Sequence, residues 1–95
     1  MKRVFIIHGW GGYPDEGWFP WLKKTLEREG YLVEVPSMPD TAHPKIHAWL
    51  ETMAHAIGQP DAETYLVGHS LGCQAIARYV EQVSEVQIGG IVFVA

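Results

Sequence analysis

Ninety-five residues, 47% of them hydrophobic and 19% charged with a formal net charge of -4, describe one ordinary globular domain at most. The acidic balance offers nothing to nucleic acid, and the one apolar run near the start is too short for a signal peptide or a membrane span, so neither partner is expected. A single cysteine, Cys73, has no second thiol for an internal disulfide, which points to a reducing, cytoplasmic setting.

Along the chain, strand and helix patterns alternate without repeats, low-complexity segments or linkers, as in a parallel sheet covered by helices on both faces. Arg3 to His8 predicts a first strand whose Val4-Phe5-Ile6-Ile7 run is apolar on both sides. Trp18, Trp21, Leu22, Thr25, Leu26 and Glu29, spaced by threes and fours, predict a helix with an apolar face and a stop at Gly30. Tyr31 to Val35 follows as strand two, closed by Pro36. A second helix then carries Ile46, Trp49, Leu50, Met53 and Ile57, with Asp40 or Thr41 as its cap and Pro44 in its first turn. Of the four tryptophans, Trp10, Trp18, Trp21 and Trp49 are expected mainly in the core, with Trp10 also placed to line an acyl pocket.

Thr64-Tyr65-Leu66-Val67 is a short β-prone run, and Cys73 to Val83 is helix-forming. Between them stands Gly68-His69-Ser70-Leu71-Gly72. A serine between two glycines at a strand-to-helix turn is the pattern of a nucleophile elbow, where the sharp turn lifts the hydroxyl off the end of the sheet and glycine on either side makes room. Ser70 is the candidate nucleophile. The second motif, His8-Gly9-Trp10-Gly11-Gly12, follows strand one directly. Glycines let the backbone approach a substrate closely, so the N–H of Trp10 or Gly11 could join that of Leu71, the residue after the nucleophile, in an oxyanion hole. A plain glycine-rich turn is the competing reading. A phosphate-binding loop fits worse, since no Gly-Lys-Ser/Thr follows.

Right-handed crossovers bring these motifs together. If the chain starts in the middle of the sheet, goes out to strand two and returns, the strand order is 2-1-3-4, and the loops after strands one and three meet at the topological switch point. The last run, Ile88-Gly89-Gly90-Ile91-Val92-Phe93-Val94-Ala95, is then an edge strand that is apolar on both faces, with self-association through its bare edge as the expected result.

His8-Gly9-Trp10-Gly11-Gly12, the tryptophan-rich first helix, Pro36-Ser37-Met38-Pro39-Asp40 and Gly68-His69-Ser70 together resemble the small serine hydrolases of the α/β-hydrolase superfamily that include retinoblastoma-binding protein nine and YdeN-type proteins. The likeness runs over essentially the whole chain. It implies an α/β-hydrolase fold, Ser70 as catalytic serine, small acyl or ester substrates, and no cofactor. Family members also carry an aspartate and a histidine in a second half, downstream of the serine. Here only twenty-three residues follow Gly72, and they contain neither. Residues 1–95 are therefore expected to be a single partial α/β-hydrolase domain whose acid and base lie elsewhere.

All five histidines precede Ser70. His8 and His69 flank the site, where loop support beside Gly9, Gly68 and Gly72 suits them better than the role of base. His43, His47 and His55 lie near one helix face, but no carboxylate or cysteine completes a ligand set, so no metal is expected. The alternative to an enzyme is a non-catalytic binding module on a shortened hydrolase scaffold, with a flavodoxin-like nucleotide binder further behind.

Overall fold

A computed structural model describes all 95 residues. Four parallel strands, β1 (Arg3–Ile7), β2 (Leu32–Glu34), β3 (Thr64–His69) and β4 (Gly90–Val94), form one sheet in the order β2-β1-β3-β4. The connections are α1 (Phe19–Arg28), α2 (Ile46–Ile57) and α3 (Leu71–Gln82). The α/β class, the strand order and the central place of the first strand are those expected from the sequence.

Alternate residues of each strand face opposite sides of a sheet, and this sorts the core into two layers. Val4, Ile6, Val33 and Val67 meet Phe19 of α1, with Leu22 and Leu26 packed around them. On the other face Phe5, Ile7 and Leu66 meet Trp49, Leu50, Met53 and Ile57 of α2 and Ala75, Ile76 and Tyr79 of α3. Arg3 closes the N-terminal end of the sheet by donating to the carbonyls of Ile57 (2.8 Å) and Gln59 (2.9 Å). No helix is long and apolar enough to cross a membrane.

Two expectations are corrected. Trp21 is 66% exposed, and Trp10 is 70% exposed, so neither belongs to the core. On α1 the buried stripe is Phe19, Leu22 and Leu26, and Trp21, two residues beyond Phe19, is turned about 200° away from it. The second helix begins at Ile46, without a cap from Asp40 or Thr41. A helix started at either residue needs His43 in a helical conformation immediately before Pro44, which the proline ring disfavours. Instead Asp40 takes a left-handed conformation (φ 47°), its carbonyl accepts the His43 amide at 3.0 Å, and Lys45 is extended before the helix opens.

β4 is hydrogen-bonded to β3 alone. Its side chains are half bare on both faces: Val92, in register with Val67 on the α1 side, is 57% exposed, and Phe93, in register with Gly68 on the α3 side, is 56% exposed.

Candidate active site

β1 and β3 are adjacent and in register, with Ile7 opposite Gly68, so the loops leaving their C-terminal ends emerge side by side. Ser70 is the single residue between β3 and α3, at φ 56° and ψ -122°. A non-glycine residue there stores roughly 1–3 kcal/mol of strain, tolerated only where the surroundings impose it. They do so through hydrogen bonds at both ends of the residue. The Ser70 amide donates to the Val94 carbonyl at 3.0 Å, and its own carbonyl accepts the Cys73 amide at 3.0 Å.

The flanking glycines sit in crowded space, and at Gly72 the contact excludes any side chain. A Cβ on Gly72 would overlap the Ile7 carbonyl and stand 2.8 Å from the His8 carbonyl oxygen, because α3 starts directly against the end of β1. On Gly68 it would meet Ile76 at 2.8 Å and the Cys73 backbone at 3.0 Å. Gly9, from the other loop, lies against the serine itself: a Cβ there would come within 2.9 Å of Ser70 Cβ and 3.3 Å of Ser70 Oγ.

Two backbone amides of these loops, those of Leu71 next to Ser70 and of Trp10 next to Gly9, have no protein acceptor. Leu71 opens α3, where the first amides have no intrahelical partner, and the Trp10 amide donates to no carbonyl. The Gly11 amide is already committed, donating to the Thr41 carbonyl at 2.9 Å. Of the two residues expected to offer a donor from this loop, only Trp10 has its amide free. Its indole is also engaged, with Nε1 donating to the Ala42 carbonyl at 3.1 Å.

His8 is fully buried against Trp49, ring centroids 5.8 Å apart. Its Nε2 accepts the Met38 amide at 3.0 Å, which leaves the proton on Nδ1, 3.2 Å from the Gly9 carbonyl. Both ring nitrogens are occupied, so His8 has no lone pair for Ser70. Burial pushes its pKa below the ordinary 6.5 and outweighs the Gly9 carbonyl and Glu16, which raise it. Because the unfolded chain takes up a proton that the folded one resists, this contribution to stability is intact above about 6.5 and is lost as pH falls through the window beneath it. The urea midpoint is accordingly expected to drop between pH 7 and pH 5, and His8→Gln should flatten that drop; an equal drop in the variant would refute the assignment.

The segment joining β2 to α2 is thus stitched to the site from four positions. Met38 reaches His8, Pro39 accepts Trp49 Nε1 at 2.9 Å, Thr41 holds Gly11 and Ala42 holds Trp10. His69 turns the other way, edge-on to Trp18 (5.6 Å) and Phe19 (5.8 Å) on the α1 side, its buried Nδ1 without a partner. His43, His47 and His55 are exposed, and no three His, Cys, Asp or Glu side chains converge on one point.

A family profile described as serine hydrolase matches residues 4–95. The chain belongs to the serine hydrolase family. Within that family it is 41% identical over 95 residues to the putative hydrolase YdeN of Bacillus subtilis (strain 168), covering 99% of this chain and 50% of that protein. It is 35% identical over 85 residues to the serine hydrolase RBBP9 of Rattus norvegicus, covering 83% of this chain and 44% of that one. The crystal structure of the ydeN gene product from B. subtilis superposes with a TM-score of 0.87 at 39% identity, over 98% of this chain and 50% of the other. This serine hydrolase chain spans about half the length of the curated relatives it matches.

Sequence reasoning missed three contributors to the site: the carbonyls of Val94, Thr41 and Ala42. Backbone acceptors leave no mark in residue type. The one available hint was Pro36-Ser37-Met38-Pro39-Asp40, whose two prolines and cap-like aspartate announced a loop of fixed shape without saying what it touched.

Proposed function

We propose that this chain carries the nucleophile and the oxyanion hole of a hydrolase acting on small acyl or ester substrates. The observation that supports the reading most directly is the strained Ser70, pressed against Gly9, with the amides of Leu71 after it and of Trp10 after Gly9 both left without acceptors. In this mechanism Ser70 Oγ bonds to the substrate carbonyl carbon while the carbonyl π pair moves onto oxygen, and the two amides receive that developing charge. The serine proton passes to a base, which returns it to the departing alcohol or amine; water then cleaves the acyl-enzyme by the same route.

None of the chain's own histidines suits the part of base. His8 has both nitrogens engaged, His69 is packed among aromatic rings, and the other three lie upstream on exposed positions around α2. The base and its orienting acid are assigned to polypeptide beyond these residues, continuing the sheet past β4. The half-length match to YdeN supports this, as do the open edge and bare faces of β4.

A fusion of this chain to the remaining half of YdeN tests the reading. A fluorophosphonate probe should label the fusion at Ser70, the 95-residue chain far more slowly, and the Ser70→Ala fusion not at all. A cooperatively folding fusion that takes no label at Ser70 would sink the proposal and favour a binding module. Alone, the chain should elute from size exclusion as concentration-dependent assemblies joined at β4, and Val92→Lys should raise the monomer share; a wild-type monomer at every concentration contradicts the open edge.

A further inference from the structure

Between the first turn of α2 and the face of α3 lies a cavity of about 150 Å³, lined by Pro44, Ile46, Trp49, Leu71, Gln74 and Arg78. Leu71, Gln74 and Arg78 are spaced by three and four along α3, so they form one stripe that begins at the residue after Ser70. Seven residues of helix place the Arg78 Cα about 10 Å from that of Leu71, and helical side chains lean back toward the N-terminus, which brings the guanidinium toward the serine. At the Leu71 end the walls are apolar, formed by Leu71 and by Trp49, which packs on His8; at the other end Arg78 stands beside Ile46, with which it also shares the neighbouring hollow.

Arg78 is exposed and unpaired. The chain's two ion pairs, Met1 with Glu63 and Asp40 with His43, do not involve it, and it makes no side-chain hydrogen bond. Glu81, one turn further along α3, shares the neighbouring hollow with Arg78 and His47 and yet lies beyond 4 Å from the guanidinium. Lys45 stands just before the first turn of α2. An arginine fork left open at the end of an apolar slot is matched to a carboxylate in shape and charge.

We propose that this cavity is the acyl-chain site and that Arg78 selects acyl groups ending in a carboxylate. The inference rests on the reading of Ser70 as nucleophile. Allowing about 30 Å³ for each small heavy group, the cavity holds about five, which suits half-esters of four- to six-carbon dicarboxylic acids. The carbonyl under attack would sit at the Leu71 end, and the distal carboxylate would reach Arg78. Neutral acyl chains of the same length would fill the slot and leave the guanidinium unpaired.

Binding without chemistry tests this on the Ser70→Ala form of the YdeN fusion, which has no serine hydroxyl to attack the ester. Monomethyl adipate, titrated into 15N-labelled protein, should shift the amides of Leu71, Gln74 and Arg78 and bind about fivefold more tightly than dimethyl adipate. Arg78→Gln should erase that preference, and Arg78→Lys should keep part of it. Equal binding of the two esters, or a preference that survives Arg78→Gln, would overturn the proposal. Ser70 plays no chemical part in this titration, so a failure of the fluorophosphonate experiment and a failure here remain separate results.

Discussion

Gly72→Ala is expected to lower the unfolding free energy by about 3 kcal/mol, enough to leave a chain this short largely unfolded at room temperature. The added methyl would overlap the Ile7 carbonyl, and the position has no means of yielding. Ile7 is fully buried at the end of the central strand, which is paired to β2 on one side and β3 on the other. On the helix side, Gly72 is the second residue of α3, held in place by Ala75, Ile76 and Tyr79 packed into the core. Either the strand or the helix must move, and each carries a layer of the core with it. Gly11→Ala is the matched control. Gly11 has φ 67° and nothing within 4 Å of an added Cβ, so its cost is restricted to backbone strain of about 1 kcal/mol. Urea denaturation of both variants separates the two effects, and equal losses would show that α3 does not approach β1 as closely as described.

Gly9→Ala is expected to spare most of the fold and to slow the reaction of Ser70 with a fluorophosphonate about 100-fold in the YdeN fusion. Its methyl would enter the space between the two loops, 2.9 Å from Ser70 Cβ, 3.0 Å from the His69 carbonyl and 3.3 Å from the serine oxygen. The adjustment that costs least is a shift of the loop carrying the Trp10 amide or a turn of the serine hydroxyl, and both degrade alignment between the proposed nucleophile and the proposed oxyanion donor. A displacement near 1 Å at such a centre can cost two orders of magnitude in rate. A variant that unfolds at nearly the wild-type urea midpoint and also reacts at nearly the wild-type rate would remove Gly9 from the site. Set beside Gly72→Ala, this substitution separates a glycine that holds the sheet from a glycine that holds the proposed nucleophile.

How much of this was legible beforehand depended on which physical signal each feature leaves in residue type. The apolar run Val4 to Ile7 and the alternation of strands and helices were enough to place β1 in the middle and to bring the two glycine-rich loops together, since burial on both faces and right-handed crossovers restrict the topology. The sharp turn at Ser70 was equally visible, because so tight a strand-to-helix turn demands small neighbours at 68 and 72. Trp21 was misplaced because a tryptophan contributes to an apolar pattern wherever it falls on a helix, and only the geometry of the Phe19, Leu22 and Leu26 stripe shows that it points outward. Asp40 was misplaced because an aspartate ahead of a helix suits a turn as well as a cap, and Pro44 decided between them. Gly11 and Trp10 could not be told apart as donors, since their difference lies in a single hydrogen bond to a carbonyl some thirty residues away.

The bond from the Ser70 amide to the Val94 carbonyl has a consequence for dynamics. Edge strands open more readily than central ones, and an amide exchanges with solvent through the least costly opening available to it. The Ser70 turn is therefore tied to an edge of the sheet, and its conformational lifetime is that of β4. Whatever pins β4 from the outside prolongs the strained conformation of Ser70 without coming near it. The persistence of the Ser70 turn is thus a matter of how long β4 stays zipped to β3.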